Sequence, residues 1–576
     1  MALTGCEDEN EPKTWVNKLS NDARRPGATG RLRLLFESAM ATTRPPNNPR
    51  DPAIRRFLDV ALVPLVTSFN AHTDETVSRR EAIEIIAQSQ DPRAIPALTG
   101  ALTFRPGNPD SERIALRSVQ SLQEMAGHAD GIPEAQKPAV VQALVATIDR
   151  ATANTGNPLQ IRYHAIQTLG VMRATTAVDT LLRLLLRPLT DQDISTARGA
   201  AEALGRIGDA RGVDALVYGL FLNIRGSNAF PHCQRALAQI GPTAAVPRLI
   251  VTLQDHNEQV NALIAQYRNV PNGPQIPEGL VSMTAANVLA AFAAPESTDA
   301  LLAVLNNREG PDSTRGAAGE ALAYIAISSP ARRAAILQAI STVFGENQPD
   351  ALPEGHAWTA MLMAPRLALI GDPSSIPLIM GALGNRAIQE ATHATSRAEL
   401  LSSLAAIARH NDVAAFTSQS TQIRTQLEHF ITAANADAQE DIRREVQPVL
   451  AALDRLDRVI AVARDCADGD MACYQGKLAD ANADTVRKAA YMMAWTTPDA
   501  QQGAARAAIL ARVNHPDVGV RRSLMVALDM LSPHGCPECI TRINQLIESE
   551  HGQESKILSH LDGQLLVVRL TARAGG

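Results

Sequence analysis

Six cysteines hold most of the reactive chemistry open to this 576-residue chain: Cys6, Cys233, Cys466, Cys473, Cys536 and Cys539. The last four form two close pairs, within "DCADGDMACYQ" and "HGCPECI". Close pairing serves a local disulfide, half of a zinc site or a redox dithiol. Redox exchange at Cys536-Pro537-Glu538-Cys539 calls for a strand–helix–strand setting, and no such pattern surrounds it. Zinc could draw on His534 and His551, but His534 is too near Cys536 for easy joint ligation, and two further good ligands are not evident. A disulfide stapling the turn is the favoured expectation there, with zinc as the alternative. Cys466 and Cys473 flank the turn-forming "ADGDMA". A disulfide between them would clip a short loop between helices and contribute about 2–3 kcal/mol on the loop-closure model. Cys233 falls where a buried helix would carry alanine, and is expected to be a free core thiol.

Cys6 poses a different question. Leu3-Thr4-Gly5-Cys6 has the form of a bacterial lipobox, in which a lipid is attached to the cysteine sulfur and the chain is cut just before it. Such a box is read behind a basic start and an apolar stretch of about 7–15 residues. Only Met1 and Ala2 precede it here. The expectation is that an in-frame segment upstream supplies the signal and that Cys6 is lipidated. Two close cysteine pairs downstream ask for an oxidising compartment, which agrees with export.

No catalytic constellation accompanies the cysteines. The sequence contains no Walker loop, no His-Glu-x-x-His and no Gly-x-Ser-x-Gly. Its 13 histidines are scattered, and none forms a pair four residues apart. The chain therefore reads as non-enzymatic, with no cofactor. A net charge of −6 gives no global basic field to hold nucleic acid or an anionic membrane. With aromatics at 3%, base-stacking platforms are scarce, and nucleic acid is not an expected partner. No run approaches 18 apolar residues, so no helix spans a bilayer.

The elements that must position these residues come from a repeat. "SRREAIEIIAQSQDPRAIPALTGAL" reads as a helix, a turn at Asp91-Pro92 and a second helix. The same design returns in "IRYHAIQTLGVMRATTAVDTLLRLLL", "TARGAAEALGRIGDARGVDALVYGLF" and "TAANVLAAFAAPESTDALLAVL". It returns again in "APRLALIGDPSSIPLIMGAL", "TVRKAAYMMAW" and "GVRRSLMVALDML". Apolar residues at i, i+3, i+4 and i+7 give each helix one buried stripe. A Gly-Asp pair such as Gly208-Asp209 or Gly371-Asp372 ends one helix and starts the next. One hairpin cannot bury its own stripe, so the hairpins must stack. The expected fold is all-α: an α-solenoid superhelix of helical hairpins with projecting loops.

This pattern resembles the HEAT-repeat family from about Asp51 to Ile547. "DCADGDMACYQ" before a repeat, together with Gly5-Cys6, an acidic run and "PKTWVNKL", looks like HEAT-repeat lipoproteins of myxobacteria and related bacteria. The resemblance implies export, lipid on Cys6 and disulfides beyond it. It also implies a place in the bacterial cell envelope, on the periplasmic side of the outer or inner membrane. The organisation expected is a truncated lipoprotein signal with its lipobox, a tether and a first helix over 1–50, the array over 51–460 and disulfide-stapled repeats with a cap over 461–576. The β-branched tail "GQLLVVRLTARAGG" reads as a strand or capping segment. The expected role is a scaffold that binds another protein through its concave face and loops, touching a membrane only through its lipid. The alternatives are a phycobilin-lyase-like HEAT enzyme and a cytosolic assembly scaffold without lipid.

Overall fold

The computed structural model describes residues 8–269, 276–345, 359–383, 470–549 and 557–574, with isolated residues between 399 and 467. The chain divides into two compact units, Met1–Ala236 and Leu237–Gly576. Among the described residues nearly all regular structure is α-helix.

In the first unit, α1 (Pro12–Val16) precedes a run of helical hairpins. They are α2 (Arg25–Thr42) with α3 (Pro52–Ala71), α4 (Thr76–Gln88) with α5 (Ile95–Ala101), and α6 (Pro109–Ala126) with α7 (Lys137–Arg150). Next come α8 (Gly156–Val171) with α9 (Val178–Leu185), and α10 (Ile194–Ile207) with α11 (Val213–Gly219). A two-stranded hairpin, β1 (Asn223–Ile224) and β2 (Ser227–Asn228), then leads into α12 (Phe230–Ile240). The stack begins upstream of residue 51, because α2 packs on both α3 and α4.

The repeat's punctuation has a local cause. Gly208 ends α10 in the left-handed region at φ 75°, where a side chain would strain the backbone. Asp209 then accepts a bond from Arg211 N at 2.9 Å and starts a 3₁₀ turn that runs into α11. Asp91 and Asp372 repeat the device with Arg93 N and Ser374 N. First helices open on side-chain caps, Asn108 to Ser111 N and Asp193 to Thr196 N.

Arginines at the repeat's opening divide into two classes. Arg25, Arg162, Arg315 and Arg521 are buried and donate to carbonyl oxygens of the preceding segment. Their acceptors are Leu19, Ala151, Leu305 and His515, at 2.6–2.8 Å. They satisfy main-chain acceptors left over where the chain turns into a new repeat. Arg25 also pairs with Glu75 and Arg162 with Asp193, and further arginines join adjoining repeats through acids: Arg33 with Glu81, Arg117 with Glu84, Arg211 with Asp179 and Arg366 with Glu320.

The second unit continues with α13 (Pro242–Leu253), α14 (Glu258–Arg268), α15 (Leu280–Phe292) and α16 (Thr298–Asn306). It goes on through α17 (Asp312–Ser328), α18 (Pro330–Gly345), α19 (Thr359–Ile370) and α20 (Ile376–Leu383). Its last described helices are α21 (Met471–Leu478), α22 (Ala483–Thr496), α23 (Gln502–Leu510), α24 (Val518–Met530), α25 (Pro537–Ser549) and α26 (Ile557–Ala574). The tail is therefore a helix and not a strand. It packs on α24 and α25 and also on α15, so it is covered on two sides. Leu566 and Leu570 join the core of α21–α25, whereas Val568 and Ala572 are buried outside that core. Burial on two sides places apolar residues on both of those faces, and β-branching does not override it.

Asp529 locks α26 in place. Its buried carboxylate lies 2.7 Å from Arg569 Nε and 2.8 Å from Arg573 Nη1. The Arg569 guanidinium also sits 4.7 Å from the centre of the Tyr324 ring on α17. Gly535 has φ +82°, and a Cβ there would fall 2.8 Å from Ala574 N.

Candidate functional site

The first helices of the first unit stand side by side as one row, α2–α4–α6–α8–α10. Close approach keeps the row tight: a Cβ on Gly170 of α8 would lie 2.8 Å from Ala203 Cα of α10. Each helix shows solvent one stripe at i, i+3, i+4 and i+7 spacing. On α6 the stripe is Arg113, Arg117, Gln120 and Glu124; on α8 it is Gln160, Tyr163 and His164, with Gln167 buried beside them. On α10 it is Ser195, Arg198, Glu202 and Arg206, and on α12 it includes His232 and Arg235.

Side chains from neighbouring helices meet in the middle of this face. His164 Nδ1 donates to Gln123 Oε1 at 2.7 Å, and its Nε2 lies 3.5 Å from Gln120 Nε2. Gln167 Nε2 donates to Glu202 Oε2 at 3.0 Å, and Arg206 donates to Gln167 Oε1 at 2.8 Å. His232 Nε2 is 3.5 Å from Glu202 Oε1. Tyr163 meets His164 edge-on, with ring centres 5.9 Å apart, and keeps 40% of its surface exposed. Burial lowers the pKa of His164. Burial also lowers that of His232, where Glu202 opposes the shift while Arg198 and Arg235 add to it. Burial raises that of Tyr163. No nucleophile–base pair with an orienting third group occurs among these residues. What the face offers is shape, amide hydrogen bonds, an aromatic ring and charge.

The cysteines lie elsewhere. Cys466 and Cys473 are disulfide-bonded in the structure with Cα atoms 5.6 Å apart, and Cys536 and Cys539 likewise with Cα atoms 5.2 Å apart. Cys466, Cys536 and Cys539 are buried in the core that α21–α25 share, with Cys473 packed against it. Cys539 N donates to Cys536 Sγ at 3.2 Å. Cys536, Glu538 and Cys539 bring their ligand-capable atoms within 4.8 Å of one another, but both sulfurs are occupied by their mutual bond. His534 is exposed. Cys233 is a buried free thiol, and burial pushes its pKa up. Cys6 and His551 lie outside the described residues.

Residues 148–220 match the family model for HEAT repeats, and residues 78–104 match that of the PBS lyase HEAT-like repeat. Over these two segments the chain carries HEAT-type repeats. No curated protein matches it. Among solved structures, the karyopherin Kap121p bound to the extreme C-terminus of the protein phosphatase Cdc14p is 12% identical over 98% of this chain and 70% of that one, with a TM-score of 0.40. Importin beta is 12% identical over 97% and 77%, with a TM-score of 0.39. Yeast importin-beta (Kap95p) is 14% identical over 98% and 73%, with a TM-score of 0.35. The solenoid assignment rests on the stacked HEAT hairpins themselves.

Sequence reading missed the seam across the HEAT row. Its members lie some 30–44 residues apart, so they meet only once the repeats are set in register. It also missed the β1–β2 hairpin, whose signal was Arg225-Gly226, both at positive φ.

A pH dependence follows from the two histidines. Folding depresses their pKa values, so below about pH 6.5 the unfolded chain binds protons that the native chain does not. Their contribution is complete above that pH and is lost as the pH falls through the folded values. The thermal midpoint is expected to drop between about pH 6.5 and 5. His164→Gln should flatten that drop. An unchanged slope in the variant would rule out His164 as a contributor.

Proposed function

We propose that the chain is a non-enzymatic scaffold of a bacterial cell envelope, anchored through lipid on Cys6, which binds a protein partner along its helix row and loops. The observation that carries the binding role is the exposed face of α6–α12, where an aromatic ring and polar side chains from four first helices are ordered without any catalytic arrangement. The compartment is supported by two local disulfides in one core, since such bonds persist where the surroundings are oxidising. In that setting Cys233 is the sole free thiol and Cys6 is acylated.

Intact mass with thiol counting on protein from native membranes tests the placement. One free thiol and a lipid-sized mass increment at Cys6 are expected; six free thiols and no lipid would sink the envelope reading in favour of a cytosolic scaffold. Cross-linking in native membranes tests the scaffold role. Links from the α6–α12 face to a recurring protein are expected, and links to none would remove it. The match of residues 78–104 to the PBS lyase HEAT-like repeat supports a second reading, a bilin-loading enzyme. Absorbance of the purified protein titrated with bilin decides that one; an unshifted spectrum ends it.

A further inference from the structure

We infer that the face between α6 and α12 takes an acidic, extended segment of a protein partner, with Tyr163 as the aromatic platform beneath it. This rests on the scaffold reading and narrows it to one surface and one chemistry.

Charge separates this stretch of the row from the one before it. On α2–α6, arginines answer acids across the repeats: Arg33 with Glu81, Arg80 with Asp110, and Arg117 with Glu84. From α6 to α12 the pattern changes. Among the described residues, Arg113, Arg198, Arg206 and Arg235 form no ion pair. Arg198 donates to the Asn228 carbonyl at 2.8 Å, and Arg206 to the Gln167 amide oxygen at 2.8 Å. Neutral acceptors fix where these guanidinium groups sit without cancelling their charge. Glu202 is already engaged by Gln167 and His232. A local excess of positive charge thus stands on a chain whose net charge is −6. Its reach is about one Debye length, ~8 Å at physiological salt, which favours a ligand that lies on the face.

Tyr163 adds the anchor. It is the only aromatic among the exposed large apolar side chains of the described residues. Its ring is seated before any ligand arrives, against His164 on one side and over Gly199, where a Cβ would touch it at 3.5 Å. A preordered ring beside guanidinium groups loses little entropy on contact.

The amides decide between a peptide and a nucleic acid. Gln120 and Gln160 reach solvent on the same face, and an amide offers both a donor and an acceptor, whereas Gln167 is buried with both of its amide atoms engaged. A peptide backbone uses both, whereas a phosphodiester chain only accepts. Glu84, Glu124 and Glu202 also punctuate the arginines, which disfavours a polymer with a charge at every unit. Four helices at about 8–10 Å spacing span roughly 25–30 Å, which is eight or nine residues of extended chain at about 3.3 Å each.

The test uses the full chain and a fluorescein-labelled peptide of about nine residues, in which aspartate or glutamate alternates with serine around a central tryptophan. Anisotropy is expected to show saturable binding at low salt that weakens as salt is raised. Arg113→Glu combined with Arg235→Glu should weaken it about tenfold, and Tyr163→Ala about fivefold. Arg332→Glu, on α18, should leave it unchanged. All variants are checked for native helix content first. Absence of saturable binding, or charge reversals without effect, overturns the inference. So does a single-stranded oligo-dT that displaces the peptide at equal or lower concentration, since the surface would then prefer nucleic acid. If the peptide fails to bind while cross-links still place a protein on this face, the scaffold reading stands and the acidic segment falls. If the peptide binds and no protein is recovered from membranes, the scaffold reading falls and the surface chemistry stands.

Discussion

Asp529→Ala is expected to destabilise the C-terminal helices by about 3–5 kcal/mol and to free α26. The Asp529 carboxylate is buried, as is most of both arginines that face it. Burial alone would raise its pKa and is the largest single influence. The charges of Arg569 and Arg573, with their hydrogen bonds, together outweigh it and hold the carboxyl below the usual range. Alanine would leave two guanidinium groups facing each other in a closed site, with Arg569 against the Tyr324 ring. That cost exceeds the worth of an exposed pair, about 0–1 kcal/mol, because the two arginine side chains are largely buried. Hydrogen exchange should show fast exchange across 557–574 and a smaller change in α13–α14. Protection of α26 equal to that of the unaltered chain would refute the lock. The same depressed pKa gives an acid limit: the contribution is complete above about pH 4 and is lost as the pH falls through the folded value.

How much of this was legible in the sequence depends on the range over which each signal acts. The hairpin repeat was visible because its causes are local: apolar spacing within a helix, Gly208 and Asp209 at a stop, Asp193 at a start. The proximity of each cysteine pair was visible for the same reason. The character of the tail was not. Val567 and Val568 argued for a strand, yet packing on α15, 270 or more residues earlier in the chain, makes a helix the form that buries both sides. The candidate face was least legible of all. Tyr163, Glu202 and His232 are unremarkable one at a time, and their meaning comes from a stacking register that no single repeat encodes. The buried arginines show the limit from another side. Arg33 and Arg211 make ion pairs between repeats. Arg162 instead turns inward to Ala151 O, because a buried carbonyl without a donor costs more than a surface pair returns.

Gly170→Val should destabilise the first unit by about 3 kcal/mol. Two effects of opposite sign meet there. Replacing a glycine within a helix with alanine normally gains about 1 kcal/mol from the unfolded chain's lost freedom. Against that, the new Cβ would lie 2.8 Å from Ala203 Cα and 3.1 Å from its Cβ. The main-chain contact cannot be relieved by a rotamer change, so α8 and α10 must separate or shift. Overpacking of this kind costs about 1–3 kcal/mol, and the branched valine lies at the upper end. Gly30 on α2 supplies the control, because nothing lies within 4 Å of a Cβ there. Gly30→Ala should therefore raise the thermal midpoint while Gly170→Ala lowers it, although both sit inside long helices. Equal shifts would mean that the α8–α10 approach is not limiting. The consequence reaches the candidate face directly, since Gly170 sets the distance between the helix that carries Tyr163 and the one that carries Arg198 and Arg206. In Gly170→Val, affinity for the acidic peptide should fall by more than the loss of folded protein explains, because the ring and the guanidinium groups no longer stand at the spacing one ligand can bridge.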